Sequence, residues 1–144
     1  QCLDHLILTN KSMAPTIEAK LSGKANSLWE KASPFSGFFG RFLKNHLMED
    51  KRKFKAPSRS IVPPSEIGGD IVERFCVHQQ EIADKMGEIG KLDLDRTVVT
   101  SPYLRVMTYR LGDALDIMIE HEKRHIRQAK RVIAAGGFPA GNVQ

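Results

Sequence analysis

Near the end of the chain, the run His121-Glu122-Lys123-Arg124-His125 places two imidazoles four residues apart. On a helix such a pair stands one above the other, with Cβ atoms about 6 Å apart. Both rings can then turn toward one metal ion at roughly 2.0–2.1 Å. Imidazole suits zinc, nickel, copper and iron alike, so the pair supplies half of a metal site without choosing the metal. The helix phase supports this reading. Leu111, Leu115, Met118, His121 or Glu122, His125, Ala129 and Val132 recur at three- and four-residue steps, the mark of one helix face. Lys123, Arg124, Arg127, Lys130 and Arg131 fall mostly on the other sides. The histidines therefore sit at or beside an apolar stripe, where an imidazole needs hydrogen-bond partners or a metal.

With Glu122 after His121, the run also fits H-E-x-x-H, the zinc-protease pattern in which glutamate is the general base. The rest of the chain argues against a protease. The position six residues past the second histidine, where metzincins carry a third, is Arg131, and no Asp, Glu or His follows His125. A third ligand must come from upstream. By periodicity alone His5 and His78 are nearly equal candidates, because each lies on or beside an apolar helical stripe. Glu122 is a candidate hydrogen-bond acceptor behind the ligating histidines or a proton carrier, with an ion pair to Arg or Lys one turn away the more common arrangement. His46, next to Lys44 and Asn45, reads as a surface residue whose charged form suits a helix C-terminus.

These residues need elements to position them. Leu3, Leu6, Ile7, Met13, Ala14, Ile17 and Leu21 trace a helix that ends at Ser22-Gly23. Phe38, Phe39, Phe42, Leu43 and Leu47 predict a short, very apolar helix packing onto the rest. Residues 51–64 read as an irregular connection, with Pro57, Pro63 and Pro64 excluding regular helix. A second long helix is expected to start near Ser65 and Glu66, to carry Ile71, Phe75, Ile82, Met86 and Ile89, and to stop at Gly90. Residues 92–110 read as a loop with at most one extended segment. The last helix is expected to open near Leu111-Gly112-Asp113, with Asp113 favourable in its first turn, and to end before Gly136-Gly137-Phe138-Pro139. The pattern predicts an all-α fold of four-helix-bundle type: three long helices and a short apolar one, with metal ligands inside.

At 144 residues the chain is read as one domain, residues 1–144, long enough for a single core. A net charge of +5 permits an anionic ligand, but aromatics are 7% of residues and the bases alternate with acids, so nucleic acid is not expected as a partner. The densest basic run, Lys51-Arg52-Lys53-Phe54-Lys55, is short. Cys2 and Cys76 are too far apart for a C-x-x-C motif and fit a reducing cytosol, with buried, inert thiols as the simplest reading. No transmembrane-length apolar run or signal peptide is visible, so the cytoplasm is expected and a membrane is not. Gly68-Gly69 and Gly136-Gly137 read as helix punctuation, not phosphate cradles.

In order along the chain, Gln1-Cys2-Leu3-Asp4-His5-Leu6, Phe54-Lys55-Ala56-Pro57, Leu111-Gly112-Asp113-Ala114-Leu115 and His121-Glu122-Lys123-Arg124-His125-Ile126-Arg127-Gln128-Ala129 resemble the DinB/YfiT-like superfamily of metal-dependent bundles. The resemblance spans nearly the whole chain. It implies a four-helix bundle holding a divalent metal, zinc or nickel, through His5, His121 and His125. It also favours His5 over His78, and some relatives are thiol-dependent transferases or isomerases. Family members carry a full helix before the segment that opens this chain. Either this stretch of chain lacks it or a partner fills its place, and a homodimer is expected.

Three neutral imidazoles leave an ion its full charge and at least one open position, the arrangement of a catalytic metal. Such an ion deprotonates a coordinating thiol. The implied activity is transfer of a low-molecular-weight thiol to an electrophilic small-molecule substrate, by conjugation or by addition and elimination. Two other classes remain: a non-catalytic metal-binding bundle, and a dimerising interaction protein, for which Phe38, Phe39 and Phe42 would supply the apolar patch.

Overall fold

The structure, a computed structural model, describes residues 1–48 and 58–135, apart from the side chain of Arg59. Phe54-Lys55-Ala56-Pro57, the basic run at residues 51–55 and Gly136-Gly137 lie outside the described residues. The described chain is mostly helical. Five α-helices, α1 (Cys2–Leu21), α2 (Leu28–Ala32), α3 (Ser36–Met48), α4 (Ile71–Ile89) and α5 (Leu111–Ile133), accompany a two-stranded sheet of β1 (Val98–Thr100) and β2 (Thr108–Arg110).

Helix α1 buries Leu6, Ile7, Met13 and Ile17 along the expected stripe. It ends where Gly23 turns to φ 82°, a conformation that costs glycine nothing and other residues much. The short α2 was not anticipated. It is built on a capping box, in which Ser27 Oγ accepts from the Glu30 amide while Glu30 accepts from the Ser27 amide. Helix α4 begins at Ile71, behind Asp70, not at Ser65 and Glu66. Pro63 and Pro64 precede that stretch and Gly68-Gly69 follows, and two consecutive glycines raise the entropic cost of a helical turn there. Its stop at Gly90 is as expected.

The loop reading of residues 92–110 is corrected. Val98 pairs with Arg110, Val99 with Tyr109 and Thr100 with Thr108 in an antiparallel hairpin. Each strand has only three residues, too few for alternation to be visible in a sequence. Ser101 stabilises the turn by accepting from the amides of Tyr103 and Leu104 through its Oγ.

Pairwise contacts fix the helix directions. Asp4 meets Arg74 and Glu18 meets Lys85, so α1 and α4 run the same way. Lys44 meets Asp116 and the Leu47 carbonyl meets Arg127, so α3 runs with α5. Met13 and Ile17 share a core with Leu111 and Ala114 while His5 lies against His121 and His125, so α1 and α5 are antiparallel. The core, with Ile89, Val99 and Tyr109 added, gathers at the hairpin end. The histidines lie toward the other.

Two expectations about apolar residues change. Phe39 and Leu43 pack on the core, but Phe38 and Phe42 are exposed and stack on each other, with ring centroids 6.0 Å apart. Val132, placed on the α5 stripe, is also exposed.

Candidate metal centre

The antiparallel crossing of α1 and α5 brings together three histidines from the two ends of the sequence. His5 lies in the first turns of α1, and His121 and His125 occupy successive turns of α5. Ring centroids are 5.2 Å apart for His5 and His121, 4.9 Å for His5 and His125, and 4.7 Å for His121 and His125. One nitrogen from each ring lies within 4.8 Å of the other two, so the three can hold a metal ion.

The fit can be judged ring by ring. Nδ1 of His5 is 2.6 Å from the carbonyl oxygen of Ile61. A carbonyl only accepts, so Nδ1 carries the proton and Nε2 keeps the lone pair a metal needs. A backbone carbonyl on the far nitrogen is the usual support of a ligating histidine. Ile61 is itself buried, in a 3₁₀ turn at Arg59–Ile61. On α5, Nε2 of His121 and Nε2 of His125 are 3.1 Å apart. Two nitrogens bound to one tetrahedral zinc stand about 3.3 Å apart. Nδ1 of His125 is buried and makes no hydrogen bond among the described residues.

Protonation follows from burial. Burial, then the neighbouring His125 and His5, push the pKa of His121 down to about 3. Burial, His5 and Arg124 push His125 down to about 4. A low dielectric disfavours the charged imidazolium, and nearby cations add to the cost. Both rings are therefore neutral at pH 7, and a cation meets no proton competition at these two positions. A divalent ion fits this donor set, which lacks a carboxylate and so leaves the ion its full charge.

The other sequence candidates lie elsewhere. His78 faces a different cleft, outside the cluster. His46, in the last turn of α3, rests against Phe42 at 4.3 Å between centroids. Among the described residues, Glu122 makes neither the ion pair expected for it nor a hydrogen bond to the three rings. Its Oε1 accepts from Nδ2 of Asn10 at 2.8 Å and from Nε2 of Gln79 at 2.8 Å. This carboxylate ties α1, α4 and α5 together beside the histidines. Asn10 and Gln79 were missed by sequence reasoning, because nothing local in the sequence marks either as a partner of Glu122.

Neither thiol is in a disulfide; Cys2 is half-buried and Cys76 is exposed on α4, correcting the expectation of a buried thiol there. No helix among the described residues is long and apolar enough to cross a membrane. The sequence matches no protein-family model, no curated protein and no solved structure.

Proposed function

We propose that the protein is a metal-dependent enzyme of the DinB/YfiT-like kind, with α1, α3, α4 and α5 forming its four-helix bundle and His5, His121 and His125 holding zinc or nickel. The observation that carries this reading is the convergence of three imidazoles, two of which, His121 and His125, burial keeps uncharged. When bound, the ion supplies a Lewis-acidic centre with an open position, the chemistry that activates a low-molecular-weight thiol toward an electrophile. The chain's own part is to hold three lone pairs in place. Ile61 fixes the His5 tautomer, the helix pitch spaces His121 and His125, and the Asn10–Glu122–Gln79 bridge keeps α1, α4 and α5 in register around them. The reaction we favour is attack of the thiol sulfur on an electrophilic carbon, the S–H proton passing to solvent and the carbon's leaving group departing with its bonding pair. The alternative course is addition of S–H across an activated double bond followed by its elimination.

The test is elemental metal content per chain, on protein purified without an affinity tag or added metal, followed by a screen of small thiols against electrophiles. About one zinc or nickel per chain together with thiol-dependent turnover supports the proposal. An absence of metal after reconstitution would remove its basis.

A second reading is a dimerising interaction protein, with or without metal. It is favoured by the exposed aromatic face of Phe35, Phe38 and Phe42, because apolar clusters of this kind mark association surfaces. Light scattering combined with the turnover screen separates the readings: a homodimer that Phe38→Ser converts to monomer, with no turnover in the screen, supports the second.

A further inference from the structure

A cleft of about 210 Å³ opens between α1, α4 and α5, and none of the three clustered histidines lines it. Its floor is apolar. Ala14 and Ile17 come from α1, Ile82 and Met86 from α4, and Leu115 and Met118 from α5, all of them buried or half-buried. Asn10 and His78 line it too, the first tied to Glu122 through Nδ2 and the second with both ring nitrogens shut off from solvent. The charged lining residues, Lys11, Glu18, Glu81 and Lys85, are exposed and therefore stand at the rim. Glu18 and Lys85 pair with each other, and Lys11 and Glu81 add one charge of each sign. The rim carries no net charge.

Shape, size and charge together indicate what fits. The lining runs from Asn10 to Glu18 on α1 and from His78 to Ile89 on α4. These helices are parallel, so the floor extends for about 12 Å along both. A cavity of about 150 Å³ accepts the six carbons of benzene, and by that measure this cleft has room for about eight. An apolar floor favours hydrocarbon, because a polar group buried on it would go unpaired. A rim without net charge favours a head group that has none. We propose that the cleft binds an unbranched aliphatic chain of about eight carbons ending in an uncharged polar head, the class of the medium-chain alcohols and amides. The chain lies along α1 and α4 against Met86 and Met118, whose flexible side chains adapt to it, and the head stays in water at the rim. The site is separate from the three-histidine cluster and needs no metal there.

Titration of the full chain with n-octanol, followed by NMR of carbon-13 in the methionine methyl groups, tests this. Saturable shifts of Met86 and Met118 are expected, with Met48 and Met107, which do not line the cleft, unmoved. The affinity should be the same before and after chelation of metal. From pentanol to octanol it should rise by about fourfold per methylene, the gain for burying each CH₂. Octanoate and octylammonium should each bind about tenfold or more weakly than octanol, since a charge partly desolvated at a neutral rim finds no net compensation. These comparisons use the unaltered protein, so they stand whether or not a variant folds. Ala14→Phe, which sets a ring into the middle of the groove, should abolish binding. Absence of saturation, shifts at Met48 in place of Met86 and Met118, affinity independent of chain length, or octanoate or octylammonium binding as tightly as octanol would each overturn the proposal, as would binding that survives Ala14→Phe.

Discussion

Nδ1 of His5 donates to the carbonyl of Ile61 at 2.6 Å, across 56 positions of sequence. This bond decides which nitrogen His5 presents to His121 and His125, and it joins the first turns of α1 to the segment ahead of α4. Replacing His5, His121 or His125 by alanine is expected to weaken zinc binding by more than about 100-fold, beyond the range for loss of an outer partner. Titration calorimetry measures the loss. His78→Ala should bind zinc as the unaltered chain does, because His78 lies outside the cluster.

The bridge at Glu122 predicts a stability effect separable from metal binding. In Glu122→Ala the amides of Asn10 and Gln79, both on partly buried contacts, lose their shared acceptor. Leaving such donors unsatisfied costs about 1–3 kcal/mol. Glu122→Gln keeps one acceptor oxygen and should lose roughly half as much, the difference between a charge-assisted and a neutral bond. Urea denaturation of the metal-free variants gives both numbers, and equal losses would show that the charge contributes nothing.

The helix pair at His121 and His125 was legible because its spacing is local: four residues along a helix fix the distance before any tertiary contact forms. The third partner was not legible from the residues alone. His5 and His78 both lie on or near apolar stripes, and only the antiparallel crossing of α1 on α5 separates them. The partners of Glu122 lie 112 and 43 positions away, whereas helical spacing favoured a basic neighbour one turn off. Long helices were readable because their periodicity repeats over many turns. The hairpin was not, since Val98, Val99, Thr108 and Tyr109 are buried by packing against α1, α2, α3 and α5 and neither strand exceeds three residues.

The neutral histidines also set a pH dependence for the metal-free protein. His121 and His125 titrate at about 3 and about 4 when folded, against 6.5 for an ordinary histidine. Between these limits the unfolded chain binds more protons, so stability rises with pH in that window and is complete above it. Urea midpoints should therefore fall steadily as pH drops below about 6.5 and continue to fall toward about 3. His121→Gln, which cannot take up the proton, should flatten that slope. An unchanged slope would mean that the ring is not desolvated in solution.

Gly40 and Gly37 on α3 offer an internally controlled test of the α3–α5 packing. A Cβ at Gly40 would stand 2.5 Å from Cβ of Asp113, an atom fixed to the backbone of α5, so the helices must part. Gly40→Ala is expected to cost about 1–3 kcal/mol, the usual penalty of overpacking. A Cβ at Gly37 would have the Arg110 guanidinium as its nearest neighbour, at 3.6 Å, an ordinary contact. Gly37→Ala should be neutral or stabilising by up to about 1 kcal/mol, because alanine loses less entropy in a helix. Thermal denaturation of the two variants should shift in opposite directions or leave Gly37→Ala unmoved.

At the hairpin end, Lys20 and Glu30 form a buried ion pair at 2.8 Å, with side chains 4% and 9% exposed. Burial alone would raise the Glu30 pKa, but hydrogen bonds from Lys20, the Ser27 amide and Thr100 outweigh it and hold the carboxyl below its ordinary value of 4.5. Lys20 also reaches Oδ1 of Asn26, whose Oδ1 accepts from the Val98 amide as well. The pair thus connects α1, α2 and β1 at one point. Lys20→Met removes the cation and leaves a buried carboxylate, which costs about 3–5 kcal/mol at neutral pH. The sign of its pH dependence distinguishes this cause from lost packing. In the unaltered chain the depressed Glu30 pKa contributes stability above about pH 4.5 that is lost as pH falls. In Lys20→Met burial prevails, the carboxyl takes up a proton more readily when folded, and the deficit against the unaltered chain should shrink as the solution is acidified. A deficit that stays constant from neutral pH to below pH 4.5 would assign the loss to packing of the lysine stem instead.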